Sequence, residues 1–273
     1  TKYVVDHFCE ELNVRYKAGA ALNRPDRKQI PAITCHKDQQ HTYNSSNVLS
    51  FTFLNDTLCI SYYGSELLLP VSNTSIGLTG RVLMHSMCEW LEPEFSGNAH
   101  QVLVQSFKDS LSCLRTLEQD VNLKTYLTEV KKTISESINK KAFIFLFGNG
   151  GSATDCLELC EIAKTNNYPV TTLLEAGYLT CAYNDNHPVF ARAFEELQAP
   201  HIAFGISTSG QSDNVNIALL QAKKKGLTTI ALTGKTGGEL LSKKLADFCY
   251  LVSSNETQRI QEVQFVVGQM LFS

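Results

Sequence analysis

Two short runs of small and hydroxyl residues carry most of the recognisable chemistry in this 273-residue sequence. One is Phe147-Gly148-Asn149-Gly150-Gly151-Ser152-Ala153. The other is Ser207-Thr208-Ser209-Gly210-Gln211-Ser212. Each follows a run of strand-type residues and leads into a helical pattern. Glycine lets a backbone turn sharply and approach a ligand closely, and a helix N-terminus adds a positive partial charge. Two such turns side by side form a cup of N–H groups and hydroxyls that suits a phosphate monoester. The bland alternative, in which Ser207–Ser212 only caps its own helix, does not account for the pairing. A small phosphorylated ligand is predicted.

A second constellation lies near the start. His7 and Glu11 are four residues apart in Asp6–Tyr16, which has a helical pattern, so both fall on one face; Arg15 follows one turn later. An imidazole and a carboxylate so placed can move protons or ligate a metal, although many such pairs are solvated surface pairs. His85 sits in Arg81–Leu91, also helical in spacing, where a core role competes with a functional one. His36 and His41 lie among Lys37, Asp38 and Gln39 and read as solvated loop. His187, beside Pro188, is not counted as a site residue. Lys223-Lys224-Lys225 reads as a solvated helix end, where positive charge suits the dipole.

The elements that must position these residues differ between two parts of the chain. Pro93, Ser96, Gly97 and Asn98 break a helical pattern, which places a boundary between 1–95 and 96–273. In the second part, helices are predicted at Val102–Leu117, Leu123–Ile138, Ser152–Thr165 (capped by Ser152), Ser212–Lys225 (stopped by Gly226), Gly238–Leu245 and Glu256–Leu271. Strands are predicted at Lys141–Phe147, Pro169–Leu174, His201–Ile206, Leu227–Thr233 and Phe248–Val252. Alternating strands and helices imply an α/β, doubly wound parallel sheet with ligand turns at the carboxyl ends of its strands. The first part shows helical patterns at Tyr3–Tyr16 and Ser75–Leu91. Its strand-like runs are Ile30–Thr34, Val48–Leu54, Thr57–Tyr62 and Glu66–Pro70, and it has no glycine-rich phosphate turn.

Composition excludes some functions. The net charge of −3 gives no basic field for nucleic acid. No apolar run is long enough to span a membrane, and no leader pattern opens the chain. The nine cysteines lack C-x-x-C spacing and read as reduced thiols of a cytoplasmic protein. Thr1 in first position is compatible with a longer parent protein.

The second part resembles the sugar isomerase (SIS) domain family over its whole length, and within it the bacterial phosphoheptose isomerases. The matching segments are Gly148–Ala153, Asn184-Asp185, Gly205–Gly210, Ala231–Lys235 and Arg259-Ile260-Gln261-Glu262. Together they are highly specific. The resemblance implies phosphate contacts from Ser152, Ser207, Thr208, Ser209 and Ser212. It implies sugar contacts from Asn149, Gly150, Gly151, Asn184, Asp185 and Gln261, with Arg15 joining the substrate-binding set.

The family's catalytic set is a His and a Glu four residues apart after the glycine turn, and a Gln and a His eight apart in the last helix. In phosphoheptose isomerases these four hold zinc, and the Glu and last His move protons. The second part keeps only Gln261, with Glu158, Ile162 and Gln269 at the other positions. The first part resembles what is missing. His7 and Glu11 match the His–Glu pair, Arg24-Pro25 and Ile30–Ile33 continue the match, and Leu69–Ile76 resembles the family's last strand and turn. His85 falls at the last His, while Gly77 stands at the Gln. The resemblance thus implies a reduced SIS-like lobe in 1–95 and a SIS lobe in 96–273, pooling residues in one composite site. His7, Glu11, His85 and Gln261 would hold Zn2+, with Glu11 and His85 catalytic. The implied activity is aldose–ketose isomerisation of sedoheptulose 7-phosphate to a manno-heptose 7-phosphate for surface polysaccharide. The implied assembly is a homodimer that reproduces a four-lobe layout. A non-catalytic sugar-phosphate sensor or protein-binding regulator is the competing reading.

Overall fold

The computed structural model describes residues 50–54, 57–62, 65–70, 85, 99–185 and 187–273. The chain divides into two compact units, Thr1–Phe107 and Lys108–Ser273.

In the first unit, β1 (Ser50–Leu54), β2 (Thr57–Tyr62) and β3 (Ser65–Pro70) form a sheet of order β1-β2-β3. All pairing is antiparallel, with Leu54 opposite Thr57 and Tyr62 opposite Ser65. Two residues separate consecutive strands, a distance that allows a hairpin and no parallel crossover. Of the predicted helix at Ser75–Leu91, His85 alone is described; it is helical and fully buried. The expected elements at Tyr3–Tyr16 and Ile30–Thr34 lie outside the described residues.

The second unit has the predicted doubly wound architecture. Five parallel strands run in the order β5-β4-β6-β7-β8. They are β4 (Ile144–Gly148), β5 (Val170–Thr172), β6 (Ile202–Ser207), β7 (Thr228–Thr233) and β8 (Phe248–Leu251). The helices are α1 (Ala99–Arg115, which begins in the first unit), α2 (Val121–Asn139), α3 (Gly151–Thr165), α4 (Ala176–Asn184), α5 (Asp213–Lys224), α6 (Gly238–Ser242) and α7 (Thr257–Leu271). None of the described helices is long and apolar enough to cross a membrane.

Strand alternation divides the core in two. Ile144, Leu146, Phe204, Ile206, Ile230 and Leu232 face a layer built from α2, α3 and α7, through Val130, Ile134, Leu159, Val263 and Val267. Phe147, Ala203 and Ala231 face the other layer, where Val215, Leu219 and Ala222 of α5 pack with Phe190, Phe194 and Leu240. Burying a side chain of Leu or Phe size contributes about 1.5–3 kcal/mol, so both faces matter to stability.

Local signals account for several boundaries. Asp120 caps α2 by accepting from the N–H groups of Asn122 (2.8 Å) and Leu123 (3.1 Å). Its other carboxylate oxygen accepts from the Tyr250 hydroxyl at 2.7 Å, tying the helix to β8. Burial and that hydrogen bond push the Tyr250 hydroxyl pKa well up. Gly226 takes φ +78° after α5, as predicted, and the N–H of Leu227 reaches back to Ala222 O at 3.0 Å. The α3 cap corrects the prediction. Gly150 is the N-cap residue and makes no side-chain cap bond, while Ser152 lies inside the first turn. The nine-residue α4 and a 3-10 turn at Ala191–Phe194, between β5 and β6, have no counterpart in the predicted elements.

Candidate functional site

The two small-residue turns lie side by side. β4 and β6 are parallel neighbours, with Gly148 opposite Ile206, and each ends where its turn begins. Gly148 must lack a side chain, since a Cβ there would stand 2.9 Å from Ile206 O and 3.0 Å from the Cβ of Ser152. Gly150 has φ +53°, a conformation that L side chains rarely adopt. After it the chain enters α3, with the Ser152 N–H donating to Asn149 O at 3.0 Å. Ser152 is buried.

The second turn is organised by hydroxyls. Ser207 Oγ donates to Ser212 Oγ and accepts from the Gly210 N–H, both at 3.1 Å. Ser209 Oγ accepts from the Gln211 N–H at 3.2 Å. Ser212 is the N-cap residue of α5 but makes no side-chain cap bond, so capping does not explain its hydroxyl. The backbone of Gly210 presses against a third loop: a Cβ there would lie 2.0 Å from Gly237 O. Gly210 O accepts from the Leu240 N–H and from Asn216 Nδ2, each at 3.1 Å. The loop after β7, seen in the sequence as Thr233-Gly234-Lys235, thus leads to a buttress at Gly237-Gly238. The glycine pair was the available signal for it.

Asp185 follows α4 and pairs with Arg192 (2.6 Å); both are well exposed, which limits the stability this pair contributes. Nearby, His187 Nε2 lies 2.6 Å from Glu195 Oε1. Arg192 and Glu195 were not among the predicted site residues. Their segment is pinned beside the first turn by aromatic contacts, with the ring centroids of Phe190 and Phe194 at 5.4 and 5.6 Å from that of Phe147.

Gln261 is buried in the first turn and a half of α7. It sits between the partners of a buried ion pair, with Arg259 Nη2 3.1 Å from Glu262 Oε1. Ser110 Oγ of α1 donates to Glu262 Oε2 at 2.6 Å and accepts from Arg259 Nη1. Such a pair is stable only because its charges are matched and hydrogen-bonded; removing one partner strands the other.

The structure therefore assembles Asn149, Gly150, Gly151, Ser152, Ser207, Thr208, Ser209 and Ser212 on adjacent turns. Asn184 ends α4 beside Asp185. His7, Glu11 and Arg15 lie outside the described residues, and His85 belongs to the first unit.

Residues 112–234 match the SIS domain family. Over 177 residues the chain is 34% identical to a phosphoheptose isomerase of Sulfurimonas denitrificans, a stretch that spans 61% of this chain and 90% of that protein. The chain belongs to the SIS domain family. Another relative, a phosphoheptose isomerase of Nitratiruptor sp., is 39% identical over 148 residues, covering 50% of this chain and 78% of that one. Among solved structures, phosphoheptose isomerase GmhA from Neisseria gonorrhoeae superposes with a TM-score of 0.60 at 25% identity, covering 64% of this chain and 97% of that chain.

Within the SIS unit the four positions that match the family's metal set fall on two packed helices, and only Gln261 of them belongs to the expected set His7, Glu11, His85 and Gln261. Glu158 and Ile162 are half-buried on α3; Gln261 is buried and Gln269 half-buried on α7. The helices touch closely, since a Cβ at Gly268 would meet Leu159 Cδ1 at 2.5 Å. Ile162 offers no donor. Among the described residues, no three His, Cys, Asp or Glu side chains gather as a metal site. The donors of α3 and α7 thus do not fit a zinc ion by themselves.

Proposed function

We propose that the chain is a sugar-phosphate aldose–ketose isomerase that converts sedoheptulose 7-phosphate to D-glycero-D-manno-heptose 7-phosphate. The observation that carries this reading is the pair of adjoining strand-to-helix turns, with Ser207 and Ser212 linked at 3.1 Å and Ser152 in the first turn of α3. Helix N-termini and hydroxyls directed to one place favour a phosphate dianion. In this reading Ser152, Ser207, Thr208, Ser209 and Ser212 hold the phosphate. Asn149, Gly150, Gly151, Asn184, Asp185, Gln261 and Arg15 orient the sugar.

Glu11 and His85 are the proton-transfer groups of the proposal. Glu11 removes a proton from C1 of the ketose, and the C–H electron pair becomes the C1=C2 bond of an enediol. The carbonyl π pair moves to the C2 oxygen, which takes a proton from His85. Return of a proton to C2 and loss of the O1 proton give the aldose. A carboxylate base paired with an imidazole acid suits such a 1,2-shift. His7, Glu11, His85 and Gln261 are the ligands assigned to zinc; when bound, it would polarise the carbonyl. Because α3 and α7 alone do not supply that site, no step above depends on the metal. The proposal extends to a composite site formed by 1–95 and 96–273, a homodimer, and a cytoplasmic role in heptose supply for surface polysaccharide.

Glu158, Ile162 and Gln269 at the positions of the family's catalytic residues favour a second reading, a sugar-phosphate-binding regulator without turnover. Assay of the full chain with sedoheptulose 7-phosphate separates the two. Turnover that is abolished by Glu11→Gln, with binding retained, supports the isomerase. Binding without turnover in the unsubstituted protein supports the regulator, and undiminished turnover in Glu11→Gln removes Glu11 from the mechanism.

A further inference from the structure

The sheet sets the distance between β4 and β6, but not the tilt of the turns beyond their ends. A separate device does so. Asn149 Nδ2 donates to Asn214 Oδ1 at 2.8 Å, and Asn214 Nδ2 donates back to Asn149 Oδ1 at 2.8 Å. Asn149 belongs to the turn between β4 and α3, and Asn214 is the second residue of α5, just past Ser212. Two carboxamides facing each other close a planar ring of two hydrogen bonds, which fixes direction as well as distance. Asn214 is further held from its own side, since its Oδ1 accepts from the Val215 N–H at 3.0 Å. The first turn is thereby referenced to the helix that begins at the second.

We propose that Asn214 is a positioning residue for the sugar phosphate: through Asn149 it holds the sugar-facing turn at a fixed attitude to the phosphate-facing turn. This inference rests on the reading of the paired turns as a sugar-phosphate cup. A ligand that spans both turns depends on their relative attitude, whereas inorganic phosphate, which lacks the sugar, depends on it much less. Asn214 needs no contact with the ligand, and its effect passes through the Asn149 side chain.

The test is calorimetric titration of the full chain with sedoheptulose 7-phosphate and, separately, with inorganic phosphate. Asn214→Ala should weaken sedoheptulose 7-phosphate binding by about tenfold and phosphate binding by less than about threefold, as expected for the loss of two neutral hydrogen bonds. In an Asn149→Ala background the same substitution should change sugar-phosphate affinity by less than about twofold, since the route of action is already removed. Asn214→Ser, whose hydroxyl can still accept from Val215 N–H, is read in the same way if Asn214→Ala does not fold. An equal loss for both ligands, or an unchanged loss in the Asn149→Ala background, would overturn the proposal. If the unsubstituted protein binds sedoheptulose 7-phosphate and Asn214→Ala binds it equally well, this inference alone fails. If the unsubstituted protein binds neither ligand, the functional reading fails and takes this inference with it.

Discussion

The turns after β4 and β6 and the packed faces of α3 and α7 belong to one folded unit, yet they are constrained differently. At the turns, glycines stand where a side chain would collide or where φ is positive, and the hydroxyls of Ser207, Ser209 and Ser212 are bonded within the loop. On α3 and α7 the positions that match the family's metal-binding and proton-transfer set hold Glu158, Ile162 and Gln269 beside Gln261. The scaffold accepts these three because a half-buried helix position tolerates any side chain that packs or reaches water. It cannot accept comparable change at Gly148 or Gly210, where backbone meets backbone. Turns built into the fold's geometry thus leave less room for substitution than helix faces whose side chains are replaceable.

The sharpest way to break this contrast is Gly210→Ala. Its φ of +64° and the 2.0 Å approach of a Cβ to Gly237 O predict a loss of stability of about 3 kcal/mol. In a thermal melt this is a fall of about 6–12 °C. An unchanged melting temperature would show that the loop yields and that the turn is not fixed by its backbone. Next, Ser207→Ala removes two of the three hydroxyl links described in the second turn and should weaken sugar-phosphate binding by about tenfold or more, measured by titration, with a smaller change in melting temperature. Asp120→Ala, which lies in neither turn and on neither α3 nor α7, should cost about 1–2 kcal/mol through loss of the α2 cap and the Tyr250 partner, read from denaturant unfolding. Glu158→Ala should alter turnover by less than about twofold if α3 takes no part in proton transfer. A large loss there would return chemistry to this face.

The smallest effect is a pH dependence. Burial alone would raise the Asp247 carboxyl, but the Thr229 N–H, the Lys223 ammonium and the Thr229 hydroxyl outweigh it and hold the pKa below the usual carboxylate value. A lowered folded-state pKa means that its contribution is present above the unfolded value of about 4 and is lost as pH falls through the folded one. The melting temperatures of Asp247→Asn and the unsubstituted protein should therefore differ at neutral pH and converge in acid.

Much of the second unit was legible because its signals are local. Runs of strand-type residues gave the strands, Gly226 marked the end of α5, and the small-residue runs marked both turns. What escaped is instructive. Residues 175–195 read as loop because α4 is only nine residues long and contains Gly177, and because Asn184-Asp185-Asn186-His187-Pro188 has strong turn chemistry. Ser152 was expected as a cap, but Gly150, whose positive φ turns the chain first, takes that place. The Asn149–Asn214 pair could not be read from spacing, because it joins residues 65 apart whose meeting depends on strand order. The antiparallel meander of the first unit was implicit in the short gaps between predicted strands, whereas the roles of His7, Glu11 and Arg15 depend on residues outside those described.

The two outermost strands of the parallel sheet, β5 and β8, are three and four residues long. A foreign strand arriving at either flank would find few open N–H and C=O groups to zip onto, so this architecture discourages edge-to-edge polymerisation and the fibrils that follow from it.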